Sequence, residues 1–200
     1  MKKYKLFLFY ALISVLTTML SSCAQIVVGG AASGGIILVQ ERSAKQAAID
    51  ILAKTQIEEA MFSNSYDNLF SKIRVIVYEG RVLLVGTVKS DKLRVQAEEI
   101  ANKVKNVTEV ANYIVIGNND IVDYIKDTRI SLELKAKLLT DKDISEVNFS
   151  VTTENRVLFI IGIAQDKQEL SRVLNHASDI AGVKKIINLV LEKNDPKRAK

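Results

Sequence analysis

The side chains that could do chemistry are few in this chain and lie far apart in its sequence. The 200 residues include one cysteine, Cys23, and one histidine, His176. A catalytic nucleophile needs a base within hydrogen-bond reach, and zinc sites need several Cys or His ligands, so multi-Cys and H-E-x-x-H sites are excluded. We interpret His176 as a structural residue of a helix. The carboxylates of Glu98–Glu99, Asp141 and Asp143 are expected on solvated faces or in loop caps, so no catalytic residue, metal or cofactor is predicted.

Cys23 directly follows a segment that is typical of protein export. Residues 1–5 contain three lysines, residues 6–20 are apolar apart from one serine and two threonines, and Leu20-Ser21-Ser22 precede the cysteine. A basic segment, an apolar run of about 15 residues and small residues at a cleavage site predict a signal peptide at 1–22. A membrane-spanning helix needs about 20 apolar residues, so the run is short for that alternative.

The ending Leu20-Ser-Ser-Cys23 resembles the lipobox of bacterial lipoproteins. This resemblance implies that residues 1–22 are removed and that Cys23 carries a diacylglycerol thioether and a fatty acyl group such as palmitate on its amine. The residue at position 24 is Ala rather than Asp, which resembles sorting to the outer membrane. The alternative is an ordinary signal peptide followed by a cysteine without a role in anchoring.

The net charge of the whole chain is +5, which by itself would suggest a nucleic-acid partner. Loss of the three lysines within residues 1–22 lowers this charge to +2. Four of the remaining basic residues stand in the tail at 193–200. The folded part is therefore close to neutral, and we expect no nucleic-acid binding.

The segment after the cysteine is apolar and rich in glycine. It runs over residues 26–39, which are too few to cross a bilayer. Gly29 and Gly34 have the spacing that begins a phosphate-binding loop, but Ile36 follows Gly35 where that loop requires Lys. We therefore interpret residues 23–49 as the lipidated cysteine and a tether that lies against the membrane surface.

An internal repeat organises the rest of the chain. At a shift of 76 residues the shared residues are Val75/Val151, Gly86/Gly162, Ala101/Ala177, Val107/Val183 and Asn112/Asn188. Before the first strand the shift becomes 77, which a single-residue insertion or deletion explains. Two units of about 70 residues are too few for a solenoid. They predict a pair of small domains at 50–117 and 121–192, followed by a basic tail at 193–200.

Each unit is predicted to run helix, strand, strand, helix, strand. In the first unit the spacing predicts a helix from Asp50 to Phe62, strands around a turn at Glu79-Gly80, a helix from Ser90 or Asp91 to about Val104, and a strand at Val110–Ile116. In the second unit it predicts helices at 127–139 and 167–181 and strands at 147–153, 157–164 and 184–191. A three-stranded sheet with two helices on one face predicts an α+β fold of two tandem αββαβ sandwich domains.

The repeated motifs resemble those of the BON-domain family of bacterial envelope proteins. The first copy reads Gly80-Arg-Val-Leu-Leu-Val-Gly86 with Val107-x-x-Val-x-Asn112. The second reads Val151-Thr-Thr-Glu-Asn155 with Gly162 and Gly182-Val-x-x-Ile-x-Asn188. From Cys23 to about Leu191 the chain is similar to the family's tandem-domain outer-membrane lipoproteins. Gly86, Gly162, Asn112 and Asn188 are interpreted as structural positions of this motif.

The resemblance implies an αββαβ fold without catalysis and a place on the periplasmic face of the outer membrane. It also implies binding of anionic phospholipid through the first helix of the second domain, and support of outer-membrane integrity and protein assembly. The chain departs from the family in two places. Asn155-Arg156 replaces Asn-Gly, so that turn is expected to differ. Arg129 replaces an aromatic residue of the lipid-binding helix, which favours an electrostatic contact over an aromatic wedge.

The first helix of the second unit is more apolar than one buried face requires. Its core stripe is assigned to Ile130, Leu134 and Leu138. Its opposite face is predicted to bind phospholipid through Arg129, Leu132, Lys135, Ala136 and Leu139. The corresponding helix of the first unit carries Glu58 and Glu59 near its outward side, which repel anionic headgroups.

Two alternatives stay open from the sequence. The second apolar face could pack against the first domain instead of a membrane. The whole protein could be a periplasmic interaction or chaperone-like factor, partnering the outer-membrane protein assembly machinery through an open sheet edge.

Overall fold

The structure is a computed structural model that describes residues 40–118 and 121–198, apart from the side chains of residues 121 and 122. These residues belong to one compact unit, Leu38–Lys200. The predicted signal peptide, Cys23 and the glycine-rich segment at 26–39 lie outside the described residues. Within the described ranges, no helix combines the length and the apolar character needed to cross a bilayer.

The first domain contains two helices, one turn of π-helix and a three-stranded sheet. Its elements are α1 (Ala44–Asn64), the π-helical turn (Tyr66–Phe70), β1 (Ile73–Tyr78), β2 (Arg81–Val88), α2 (Asp91–Asn102) and β3 (Glu109–Ile116). Strand β2 lies in the centre, antiparallel to β1 and parallel to β3. Helix α2 provides the crossover that a parallel pair requires.

The second domain repeats this order and topology. Its elements are α3 (Ile121–Thr140), a 3₁₀ turn (Glu146–Asn148), β4 (Phe149–Glu154), β5 (Val157–Ala164), α4 (Lys167–Ser178) and β6 (Lys185–Glu192). The register is also repeated, since Gly86 opposes Ile73 in the first sheet and Gly162 opposes Phe149 in the second. The predicted fold class is therefore confirmed.

The helix boundaries differ from the predicted ones in a regular way. Helices α1 and α3 each begin six residues earlier than the aspartates at which the spacing placed them. Ser43 caps α1, where its hydroxyl accepts a hydrogen bond from the Gln46 amide at 3.1 Å. Helices α2 and α4 end at Asn102 and Ser178, before the predicted ends.

The two sheets pack face to face, with the helices on the outer sides. The helices of each domain cover one face of its sheet, and this contact forms a separate core in each domain. The opposite faces share a third core, formed by Tyr78, Leu83, Val85, Phe159, Ile161 and Ile163. All eight residues of β2 are consequently buried. The helix α3 therefore does not take part in the apolar contact between the domains, contrary to the first alternative.

Polar contacts hold the two sheets in one relative orientation. The Arg81 guanidinium donates from Nη2 to the Leu189 carbonyl oxygen at 2.8 Å. The Thr87 hydroxyl donates to Glu154 Oε1 at 2.8 Å and accepts from the Asn155 side-chain amide at 3.3 Å. Apolar contacts are not directional, so these hydrogen bonds are what fixes the relative orientation of the two sheets.

The basic tail is part of the folded protein rather than a free extension. The Arg198 guanidinium donates to both carboxylate oxygens of Glu79, from Nη2 at 2.7 Å and from Nε at 3.0 Å. Its Nη2 also donates to the Glu41 carbonyl oxygen at 3.0 Å. These hydrogen bonds with Glu79 raise the pKa of Arg198 above its usual value. The tail of the second domain is thereby tied to the hairpin turn of the first.

The repeated glycines and asparagines lie at equivalent places in the two domains. A Cβ atom on Gly86 would come within 2.1 Å of the Lys72 carbonyl oxygen, and one on Gly162 within 2.1 Å of the Asn148 carbonyl oxygen. The side-chain oxygen of Asn112 accepts from the amide two residues later at 3.1 Å, and that of Asn188 does the same at 3.0 Å. Asn112 also donates to Glu98 Oε2 at 2.8 Å, which joins β3 to α2.

Candidate lipid-binding surface

An apolar stripe runs along the outer side of α3, opposite the side that packs on the sheet. Ile125, Leu132 and Leu139 follow one another at intervals of seven residues and are 63%, 61% and 71% exposed. Seven residues correspond to nearly two helical turns, so these side chains lie in one line. Ala136 is exposed between them. We call this set the α3 stripe.

Basic residues border the α3 stripe on both sides. Arg129 and Lys135 are exposed, and helical geometry places each about 60° from Leu132 around the axis. Arg129 faces Glu133 at 3.8 Å between Nη2 and Oε2, an exposed pair that contributes little to stability. All five residues predicted to contact lipid therefore lie on one accessible side of α3.

The sequence reasoning missed two members of this surface. Ile125 extends the stripe by two turns toward the start of α3, and Tyr124 beside it is 60% exposed. Both were overlooked because the helix was predicted to start at Asp127. The interval of seven residues back from Leu139 and Leu132 was the available signal.

The outer side of α1 has a different character. Ile51 and Phe62 are 64% and 54% exposed, but Glu58 and Glu59 lie between them. Glu58 pairs with Lys54 at 3.5 Å, and Glu59 is exposed. Acidic side chains in this place oppose contact with a negatively charged surface.

A buried carboxylate fixes each first helix to the hairpin turn of its domain. Asp50 in α1 accepts hydrogen bonds from the Glu79 and Gly80 amides at 2.7 and 2.9 Å. Asp127 in α3 accepts from the amides of Asn155 and Arg156 at 2.6 and 2.8 Å. The sequence pattern predicts helix starts at these two aspartates, 77 positions apart, and does not reveal that each accepts hydrogen bonds from a distant turn.

The expected difference between the two turns is not observed. Glu79 and Gly80 have φ values of 50° and 75°, and Asn155 and Arg156 have values of 51° and 64°. Both turns thus place two residues in the left-handed region, as in a type I′ hairpin. Arg156 adopts a conformation that glycine usually occupies.

Next to this second turn lies the cavity that borders α3. It has a volume of about 300 Å³. Its lining comprises Lys126, Arg129, Ile130, Arg156, Ala181 and Gly182. Three of these side chains are basic and none is acidic, so the cavity favours anions.

His176 and the neighbouring carboxylates form a contact between two helices. The imidazole Nε2 of His176 lies 2.8 Å from Asp141 Oδ2, which links α4 to the end of α3. This bond and the amide of Asp143 hold the pKa of Asp141 below its usual value. Among the residues that the structure describes, no group of three His, Cys, Asp or Glu side chains is arranged to hold a metal ion.

Comparison with known proteins places these features in a family. The model of the BON domain matches residues 52–118 and 126–193. An uncharacterised protein from the gshII 5′ region of Anaplasma centrale is 37% identical over 132 residues, which are 65% of this chain and 87% of that protein. Outer membrane lipoprotein DolP of Haemophilus influenzae is 26% identical over 174 residues, which are 86% of this chain and 90% of its relative.

One solved structure has a low similarity to this chain. The C-terminal domain of CdsD, a structural protein of the type III secretion system of Chlamydia trachomatis, covers 72% of this chain and 66% of its own, with 16% identity and a TM-score of 0.29. The family match to both repeated units is decisive. The chain belongs to the BON-domain family and is an envelope protein with two BON domains in tandem.

Proposed function

We propose that this protein is a non-enzymatic outer-membrane lipoprotein that binds anionic phospholipid through the second BON domain. The observation that carries the proposal is the α3 stripe, three large apolar side chains exposed in one line and bordered by Arg129 and Lys135. Transfer of an exposed side chain of this size from water into an apolar phase is favourable by roughly 1.5–3 kcal/mol. A helix with this character lies flat in the interface of a bilayer.

The basic border supplies the preference for anionic headgroups. Each Lys or Arg near an anionic surface contributes about 1 kcal/mol of attraction. Arg129 occupies the place of the aromatic residue expected in the family, so charge and the aliphatic stripe replace an aromatic wedge. The acyl chains proposed on Cys23 would keep the domain close to the periplasmic face of the outer membrane, and two weak contacts together give stable anchoring.

The experiment is a titration of the mature protein, held in a neutral maltoside micelle, with dihexanoyl phosphatidylglycerol. We expect NMR shifts of the amides along α3 that phosphatidylcholine at the same concentration does not produce. The double variant Leu132→Glu and Leu139→Glu should lose at least tenfold in apparent affinity, because two charges are placed in the apolar contact.

The matched control is Ile51→Glu with Phe62→Glu on α1, where the exposed fractions are similar. This control should bind as the unmodified protein does. Equal binding by the α3 variant and the control would refute the proposal, and circular dichroism would establish that both variants stay folded.

A second candidate function has one specific observation in its favour. Strand β3 is an edge of the first sheet, and its Tyr113 and Val115 are 36% and 44% exposed beside a groove of about 170 Å³ that Phe159 and Ile187 also line. An extended segment of an envelope protein could add to such an edge through main-chain hydrogen bonds, as an assembly factor would require. Crosslinking from position 115 that captures the same envelope protein with and without phosphatidylglycerol would favour this alternative.

A further inference from the structure

We propose that the cavity beside α3 is a binding site for one phosphate group, which would be the headgroup phosphate of a phospholipid lying along the α3 stripe. This inference rests on the proposed function, because the lipid is the source of the phosphate. It adds a defined site and one residue, Arg156, outside the first helix. The cavity of about 300 Å³ has room for a phosphate and part of its glycerol.

The positive charge in the cavity is poorly neutralised by the protein. Lys126 lies 3.5 Å from Asp123 and Arg129 lies 3.8 Å from Glu133, and both pairs are exposed and long. Within residues 40–118 and 121–198, the Arg156 guanidinium forms no ion pair, while its backbone amide is held by Asp127. Of the three cations around the cavity, Arg156 therefore has no carboxylate partner among the described residues, and the other two have only exposed ones.

The backbone around Arg156 also sets this site apart from its counterpart. In the first domain the equivalent residue is Gly80, and a Cβ atom there would come within 2.6 Å of the Asn106 carbonyl oxygen. In the second domain Gly182 stands at the position of Asn106, and Arg156 takes the place of Gly80 at a φ of 64°. A side chain is thus present where the first domain excludes one, in a left-handed backbone region that is unfavourable for residues other than Gly, Asn and Asp. Such strain is concentrated at functional sites.

Arg156 lines the cavity, and contacts with α3 hold its backbone there. Asp127 accepts hydrogen bonds from the amides of Asn155 and Arg156, so the turn is fixed against the helix that carries Lys126 and Arg129. A guanidinium offers two parallel N–H donors that match two oxygens of a phosphate. Arg129 belongs both to this cavity and to the border of the α3 stripe. A phosphate bound here would leave the acyl chains beside Leu132.

The test uses the full mature protein, ¹⁵N-labelled in neutral maltoside micelles and titrated separately with dihexanoyl phosphatidylglycerol and inorganic phosphate. We expect saturable shifts of the Gly182 amide and the Arg156 Nε–H with the lipid. The variant Arg156→Gly should weaken the apparent affinity about fivefold, the effect of one basic contact. It keeps the turn, because Gly80 occupies the same place in the first domain. Arg156→Lys should restore part of the affinity.

The control is Lys167→Ala, which removes one exposed positive charge. Lys167 lies at the start of α4, whereas Ala181 and Gly182 of the cavity follow the end of that helix. It should bind lipid as the unmodified protein does. Equal affinity of Arg156→Gly and the unmodified protein would overturn the phosphate site. Shifts along the α3 stripe without any at Gly182 would overturn the site and leave the proposed function standing, whereas no shift at either place would overturn both. Saturation by inorganic phosphate at the same concentration would support an anion site. It would reject the proposal that the phosphate bound there is that of a lipid headgroup.

Discussion

The first helices of the two domains, α1 and α3, make the same contacts within their domains. Their solvent-facing sides differ in charge and in apolar character. Both are anchored by a buried aspartate to a type I′ turn, and both bury a stripe of apolar residues against a three-stranded sheet. At outward positions 77 residues apart, Thr55 corresponds to Leu132, Glu58 to Lys135 and Glu59 to Ala136. Inward positions are constrained by packing, and outward positions are free to diverge. Under the proposed function, this difference explains why the surface for anionic lipid is assigned to the second domain and not to the first.

The two hairpin turns also share a backbone and differ in their exposure. The backbone is equal in both, but Glu79 of the first turn is buried and paired with Arg198, whereas Asn155 of the second is exposed. The first turn is therefore a contact within the protein. The second turn also contacts the first domain, through the side-chain amide of Asn155 and the hydroxyl of Thr87, but it stays open to solvent.

The largest effect that would test this comparison is the loss of the aspartate anchors. Asp50→Ala should lower the free energy of unfolding by about 3–4 kcal/mol, because two buried amides and Arg42 lose their partner. Asp127→Ala should cost about 2 kcal/mol, since water reaches the exposed turn at Asn155. Urea denaturation of the full chain measures both.

For these variants the control is Asp143→Ala, which removes an exposed ion pair with Arg172 and should change the stability by less than about 0.5 kcal/mol. A larger loss for Asp127→Ala than for Asp50→Ala would contradict the view that the first turn is the more buried of the two.

A smaller effect is expected from transferring the lipid-facing residues between the domains. The triple variant Thr55→Leu, Glu58→Lys and Glu59→Ala gives α1 three of the outward residues of α3. We expect new phosphatidylglycerol-dependent amide shifts in α1 and a rise in apparent affinity of about fivefold. Thr55→Leu alone, which adds no charge change, should produce a weaker response. If α1 stays silent in the triple variant, features beyond these residues distinguish the two helices.

The smallest effect concerns Tyr78, which lies between the sheets and whose counterpart 76 positions later is Glu154. Burial raises the pKa of Tyr78 to about 12, even though the guanidinium of Arg42 lies 4.5 Å from its ring centroid. Its hydroxyl has no hydrogen-bond partner among the described residues. Tyr78→Phe should therefore leave the stability at pH 7 unchanged or raise it by up to about 1 kcal/mol, because it removes a buried hydroxyl that has no partner.

The pH dependence gives a sharper form of this prediction. Because the pKa of the folded state lies above that of the unfolded chain, the contribution of Tyr78 is complete below pH 10 and is lost as the pH rises toward 12. Tyr78→Phe should remove this part of the loss, measured as urea midpoints between pH 9 and 12. A hydroxyl that titrates near pH 10 in both states would show no such difference.

Much of the fold could be predicted from the sequence, because each element of the repeat is predicted in both copies. Strand β5 was predicted at 157–164 and runs from Val157 to Ala164. The starts of α1 and α3 were missed, since the aspartates at 50 and 127 look like caps but accept bonds from distant turns. The packing of sheet on sheet was also missed, although the unbroken apolar run around Leu83 is typical of a strand buried on both faces.

The sequence by itself determined the two domains, their order of elements and the apolar and basic pattern of α3, the first helix of the second domain. Those features depend on local spacing, which a linear pattern records. Only the tertiary structure decided that the sheets face each other, which leaves the α3 stripe exposed. It also brought Arg156 and Gly182 to the cavity beside Lys126 and Arg129. These residues come from a turn, a loop and a helix, and the contact between them depends on the hydrogen bonds of a buried aspartate.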